Sequence, residues 1–108
     1  MDGVSFIFDT FNDKTNGYFF GVSPAGTQRE SLVFNGGNEF GRDTDNSWDV
    51  KWESESQVYD EYFLSEVKIP IKFLNFSEGS NSWGFNIFRF EIKYFDIFLT
   101  LSSNFLLI

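Results

Sequence analysis

The chain contains neither cysteine nor histidine, and only two prolines and one methionine. Without cysteine there is no disulfide, no thiol nucleophile and no thiolate for zinc. Without histidine, the usual imidazole base and a common zinc ligand are missing as well. Any metal must therefore be held by oxygen atoms, which points to calcium. Positive charge is scarce too: eight Lys and Arg stand against sixteen Asp and Glu, a net charge of −8. A surface of that sign repels phosphate backbones, so nucleic acid is not an expected partner. Long hydrophobic runs are also absent. The most apolar stretch, residues 94–108, is interrupted by Asp96, Thr100, Ser102, Ser103 and Asn104, and is too short and mixed to span a bilayer. Met1, Asp2, Gly3 and Val4 lack the basic and apolar segments of a secretory signal. The lack of cysteine leaves the redox compartment open.

What the chain does have is aromatic rings: 21% of its 108 residues, with 16 Phe among them. At this length one domain with one core is expected, and the apolar content is too high for intrinsic disorder. The rings recur at the period of a strand. Val4, Phe6 and Phe8 alternate with Ser5, Ile7 and Asp9, and Tyr18, Phe20 and Val22 alternate with Phe19, Gly21 and Ser23. Between them, residues 12–17 end in Asn16-Gly17, a turn signal because both residue types tolerate positive φ.

Pro24, Ala25 and Gly26 form a second turn before a short strand over residues 27–34, and the Gly-, Asn- and Asp-rich residues 35–46 read as a loop. Trp48, Val50 and Trp52 alternate with Asp49, Lys51 and Glu53, predicting a half-buried strand. Residues 57–59 are expected to pair with residues 62–69 through a turn at Asp60-Glu61. Pro70 marks where that strand leaves its sheet, and residues 71–76 have room for one helical turn. Trp83, Phe85 and Ile87 predict a further strand over residues 83–91. Six or seven short strands with closely spaced turns and no convincing helix predict an all-β fold, an antiparallel β-sandwich of jelly-roll-like type.

Several residues are candidates for binding. Trp48 and Trp52 offer indole faces on which a pyranose can pack, although sharing a strand face with Val50 favours a place in the core. Gln28, Arg29, Asn38 and Arg42 carry hydrogen-bonding groups for sugar hydroxyls, or are simply solvated. Asp43, Asp45 and Asp49 offer closely spaced oxygens for calcium, and Asp9, Asn12 and Asp13 a second set. Neither completes a known calcium loop, so solvated loops are the competing reading. Sixteen acids make accidental carboxyl pairs inevitable, but glycoside hydrolysis needs two of them about 5 to 10 Å apart in a cleft, and no cleft is implied. A noncatalytic role is expected.

Four elements occur in a recognisable order: D-T-F-N-D-K-x-N-G-Y-F-F-x-V-x-P-A-G-x-Q at residues 9–28, W-D-x-x-W-E at 48–53, E-V-K-I-P at 66–70 and W-G-x-N-x-x-R at 83–89. Together they resemble the family-nine carbohydrate-binding-module-like domain found near the N-terminus of large bacterial membrane-associated proteins. The resemblance implies a β-sandwich over residues 1–91 that lacks its first strands, so the N-terminal edge is expected to be incomplete. Residues 92–108 are then an atypical apolar segment, either a replacement strand or an out-of-register translation, and without a partner an aggregation hazard. It further implies a noncatalytic carbohydrate-binding domain of a larger surface or periplasmic protein, located in the periplasm, at the outer membrane or on the cell surface. The acidic and arginine positions of sugar-binding members fall near Ser5 and near Phe20 or Gly21 here. That leaves a second expectation open: a structural or interaction module that no longer binds sugar and docks on the remainder of its parent protein.

Overall fold

Two antiparallel sheets account for the described structure, which is a computed structural model describing residues 3–34, 43–77, 82–89, 100–101 and 105–107. In chain order the strands are β1 (Val4–Asp9), β2 (Gly17–Val22), β3 (Gln28–Val33), β4 (Thr44–Asp45), β5 (Glu53–Val58), β6 (Phe63–Pro70), β7 (Gly84–Arg89), β8 (Thr100–Leu101) and β9 (Phe105–Leu107). The first sheet runs β4-β3-β2-β1-β7 and the second β5-β6-β9-β8. The expected all-β, antiparallel, sandwich-like character is thus present.

Alternation in β1 and β2 is converted directly into burial. Phe6 stands opposite Phe20, and Val4 opposite Val22, so one face of the hairpin is apolar. On that face Phe6, Phe8, Phe20 and Val22 are buried together with Val67 and Ile69 of β6, so both sheets feed one core. Phe20 is wholly enclosed, with rings around it at 6.1 Å (Phe8), 5.7 Å (Trp48) and 5.2 Å (Trp52). Edge-to-face packing of this kind adds to the area term, which for one buried Phe is about 1.5 to 3 kcal/mol.

The turn between β1 and β2 is not built as the Asn16-Gly17 pair predicts. Positive φ falls instead on Asn12 (53°) and Lys14 (60°). The Asp9 carboxylate accepts from the backbone N–H of Asp13 and Lys14, and Asp13 accepts from Thr15, Asn16 and the Asn16 side chain. Side-chain carboxylates thus replace the tight turn. Gly17 is needed for a different reason: it lies inside β2, where a Cβ would stand 3.0 Å from Ile7 Cγ2 and 3.2 Å from the Phe8 carbonyl oxygen. At the next turn Ser23 takes hydrogen bonds from Gly26 and Thr27, and Gly26 supplies a φ of 89°.

The segment over residues 48–52 also departs from expectation. It alternates in burial, with Trp48 and Val50 half-buried and Trp52 buried, yet it forms no ladder; the strand begins at Glu53. The reason is topological. This stretch carries the chain from β4 in the first sheet to β5 in the second, so its rings close the side of the core while its backbone pairs with no strand among the described residues. Beyond β6, the expected helical turn is a 3-10 turn at Ile71–Phe73 following Pro70. Thr10 donates to the Asn75 carbonyl, and Asn75 N–H donates to the Tyr18 hydroxyl at 2.9 Å, tying this region to the first sheet. In the C-terminal region, β9 pairs with β6, Leu107 opposite Lys68 and Phe105 opposite Pro70.

Candidate binding surfaces

The residues expected to meet a sugar are divided by the sheet. Gln28 and Arg29 are neighbours in β3 and therefore point to opposite faces. Gln28, opposite Val22, lies on the core side, where its amide donates to the Trp52 carbonyl at 3.2 Å and to Ser54 Oγ at 2.8 Å. Arg29, opposite Gly21, is exposed on the other face. Trp52 is 6% exposed and edge-on to Phe20, while Trp48 is half-buried against Tyr18 and Phe20. The two indoles serve the core. Asn38 and Arg42 lie outside the described residues.

The candidate calcium ligands are likewise used locally. Asp43 is buried, and its carbonyl accepts from Phe34 N–H at 2.9 Å. Asp45 accepts from both the backbone N–H and the hydroxyl of Ser47, bonds that hold its carboxyl below the usual aspartate range. Asp49 is exposed. Asp9 and Asp13 shape the first loop as described, and the hydrogen bonds from Asn16 and Thr15 keep the Asp13 carboxyl low as well. Among the described residues no group of three or more acidic side chains is arranged to hold a metal ion.

One polar cluster does form, at the seam where the chain changes sheets. Glu30, opposite Phe20 in the ladder, faces the core side at its rim. Burial holds its carboxyl above the usual glutamate range, and the adjacent Asp49 pushes the same way, against the Trp52 indole and the Val50 backbone N–H, which favour the ionised form. The buried Trp52 Nε1 closes no hydrogen bond of ordinary geometry. We read this cluster as a seam between sheets, because it brings Glu30 of β3 beside Asp49, Val50 and Trp52 of the connecting segment.

Among the described residues, several exposed large hydrophobic side chains gather elsewhere, on the β5–β6 hairpin. Val58, Tyr62 and Leu64 are 65%, 61% and 49% exposed, and Tyr59 is exposed beside them. Tyr59 N–H donates to the Tyr62 carbonyl at 2.8 Å, closing the turn expected at Asp60-Glu61. The two tyrosine rings then stack, 4.7 Å between centroids and 21° between planes. Period two places Glu53, Glu55 and Gln57 on one face of the hairpin opposite Lys68, Glu66 and Leu64. Glu55 and Glu66 therefore stand directly opposite each other, a like-charge pairing that weakens a ladder. From the sequence Asp60-Glu61 reads only as a turn; the signal for an exposed patch is the tyrosine on each side of it, outside the alternation that marks the core.

No helix among the described residues is long and apolar enough to cross a membrane. No family model, curated protein or solved structure matches the chain.

Proposed function

We propose that this chain is a noncatalytic interaction module of a larger protein, an all-β scaffold that docks a protein partner through its exposed hairpin. The observation that carries the reading is the burial of Trp52: the indole best placed for a sugar platform is enclosed beside Phe20. Among the described residues, four of the seven exposed large hydrophobic side chains, Val58, Tyr59, Tyr62 and Leu64, lie instead on this hairpin, a grouping typical of contact surfaces. Calorimetric titration with a panel of soluble oligosaccharides and polysaccharides tests it. No saturable heat is expected, and saturable heat with any of them overturns the reading.

A second reading, glycan recognition by a cell-envelope domain, is favoured by the resemblance of residues 9–28, 48–53 and 83–89 to carbohydrate-binding-module-like domains. The exposed Tyr59–Tyr62 stack also offers a ring face to a pyranose. Under this reading Tyr62→Ala abolishes the calorimetric signal while leaving the thermal transition in place.

A further inference from the structure

We propose that the free edge of β5, together with the tyrosine tip of the β5–β6 hairpin, receives an extended segment of a partner protein bearing alternating Lys or Arg residues, which adds as a strand to the second sheet. This rests on the interaction-module reading and specifies the chemistry of the partner.

Three features meet at this place. The first is an available ladder. β5 stands at the end of its sheet and, among the described residues, pairs only with β6, so along its six residues one row of backbone groups is available to another strand. The second is charge. Residues 53–66 contain Glu53, Glu55, Asp60, Glu61 and Glu66 and no Lys or Arg. All five are exposed, and the ion pair of Glu53 with Lys68, at 3.9 Å, is loose. An added strand carrying cations on its outward face would set them beside Glu53 and Glu55 and relieve the repulsion between Glu55 and Glu66.

The third feature is the apolar tip. Charged side chains alone are the ordinary means of keeping an edge strand from pairing, but protection does not call for exposing Val58, Tyr62 and Leu64 as well. Val58 lies on the face opposite the glutamates, where the alternate residues of an added strand would fall. The stacked tyrosines present ring faces that attract a cation, strengthened by Asp60 and Glu61 between them. An edge that is open, acidic along one face and lined by Ser54, Ser56 and Val58 on the other specifies a strand with cations on the first face and small or β-branched residues on the second.

The test uses the full chain and a synthetic peptide of about eight residues in which lysine alternates with valine and threonine. Calorimetry measures binding, and hydrogen exchange locates it. Saturable binding is expected that weakens as salt is raised and slows exchange of the amides of residues 53–58. The same peptide with glutamate in place of lysine is expected not to bind. Glu55→Lys supplies the discriminating variant: the new lysine pairs with Glu66, so the thermal midpoint rises while peptide affinity falls roughly ten-fold. Tyr62→Ala weakens binding without altering exchange in β6. Unchanged exchange in β5 at saturating peptide, protection located elsewhere, equal binding of the glutamate peptide, or unaltered affinity of Glu55→Lys would each overturn the proposal. A failure of this kind without any oligosaccharide heat removes this partner class alone, whereas oligosaccharide heat removes the interaction-module reading beneath it.

Discussion

Gln28 donates its side-chain amide to the Trp52 carbonyl at 3.2 Å, joining β3 to the segment that enters β5. The same nitrogen reaches Ser54 Oγ at 2.8 Å, so one side chain closes the seam between the sheets. Replacing it by an isosteric apolar group leaves a partly buried carbonyl unpaired. Gln28→Leu is expected to lower unfolding free energy by about 1 to 2 kcal/mol, measured by urea denaturation. A variant as stable as the parent would show that water substitutes for the amide without cost.

Phe20 is the ring on which the core converges. Phe20→Ala removes its contacts with Phe8, Trp48 and Trp52 together, and a loss of about 3 to 5 kcal/mol is expected. Small domains have about 5 to 15 kcal/mol in all, so this variant should show a strongly reduced thermal midpoint or no cooperative transition. Phe11→Ala, at an exposed ring, is the contrasting case and should stay within about 0.5 kcal/mol.

The first hairpin permits a paired experiment. Gly17→Ala forces a Cβ against Ile7 and the Phe8 carbonyl and is expected to cost about 1 to 3 kcal/mol. Lys14→Gly relieves a φ of 60° and is expected to add about 0.5 to 1 kcal/mol, the relief of the left-handed backbone outweighing the entropy of the freer unfolded chain. Loss of stability in Lys14→Gly would mean that the loop does not hold this conformation in solution.

Glu30 governs a pH effect of opposite sign to the ordinary acidic residue. Its folded pKa lies above the unfolded value near 4.5, so its contribution is complete below the unfolded value and is lost as pH rises through the folded one. Asp13 and Asp45 are held below 3.8 and act in reverse, losing their contribution as pH falls; Asp13 is exposed and Asp45 only half-buried, which keeps the effect small. Thermal melts of Glu30→Gln and the parent should converge near about pH 3.5 and separate progressively as pH rises beyond the unfolded value, with the variant the more stable. Parallel curves across that range would remove Glu30 as the cause.

Much of the architecture was legible because the large rings alternate with a period of two. Phe6, Trp52 and Val67, on three different segments, all enter one core. Alternation reports which side of the chain faces the core, however, and not whether the backbone has a partner. Residues 48–52 therefore read as a strand although they form the connection between sheets. Asn16-Gly17 misled for a related reason: the local turn signal was outweighed by Asp9 and Asp13, whose carboxylates collect the loop's N–H groups. The placement of Trp52 could not be settled from its neighbours, since a sugar platform and a core residue share the same spacing. The exposed hairpin was hidden because Tyr59 and Tyr62 acquire meaning only once the core is known to lie elsewhere.

The pairing of β1 with β7 carries a consequence for how the chain is made. Asp9 lies opposite Gly84 and Val4 opposite Arg89, whereas β2 follows β1 closely and pairs with its other side. At ordinary rates of synthesis, the stretch from Asp9 to Gly84 takes on the order of 4 to 15 s to emerge. For that interval the nascent protein holds a central strand with one flank open, and Phe6 and Phe8 await the neighbour that completes their shelter. Any factor that shields aggregation-prone chains at the ribosome would find its target there.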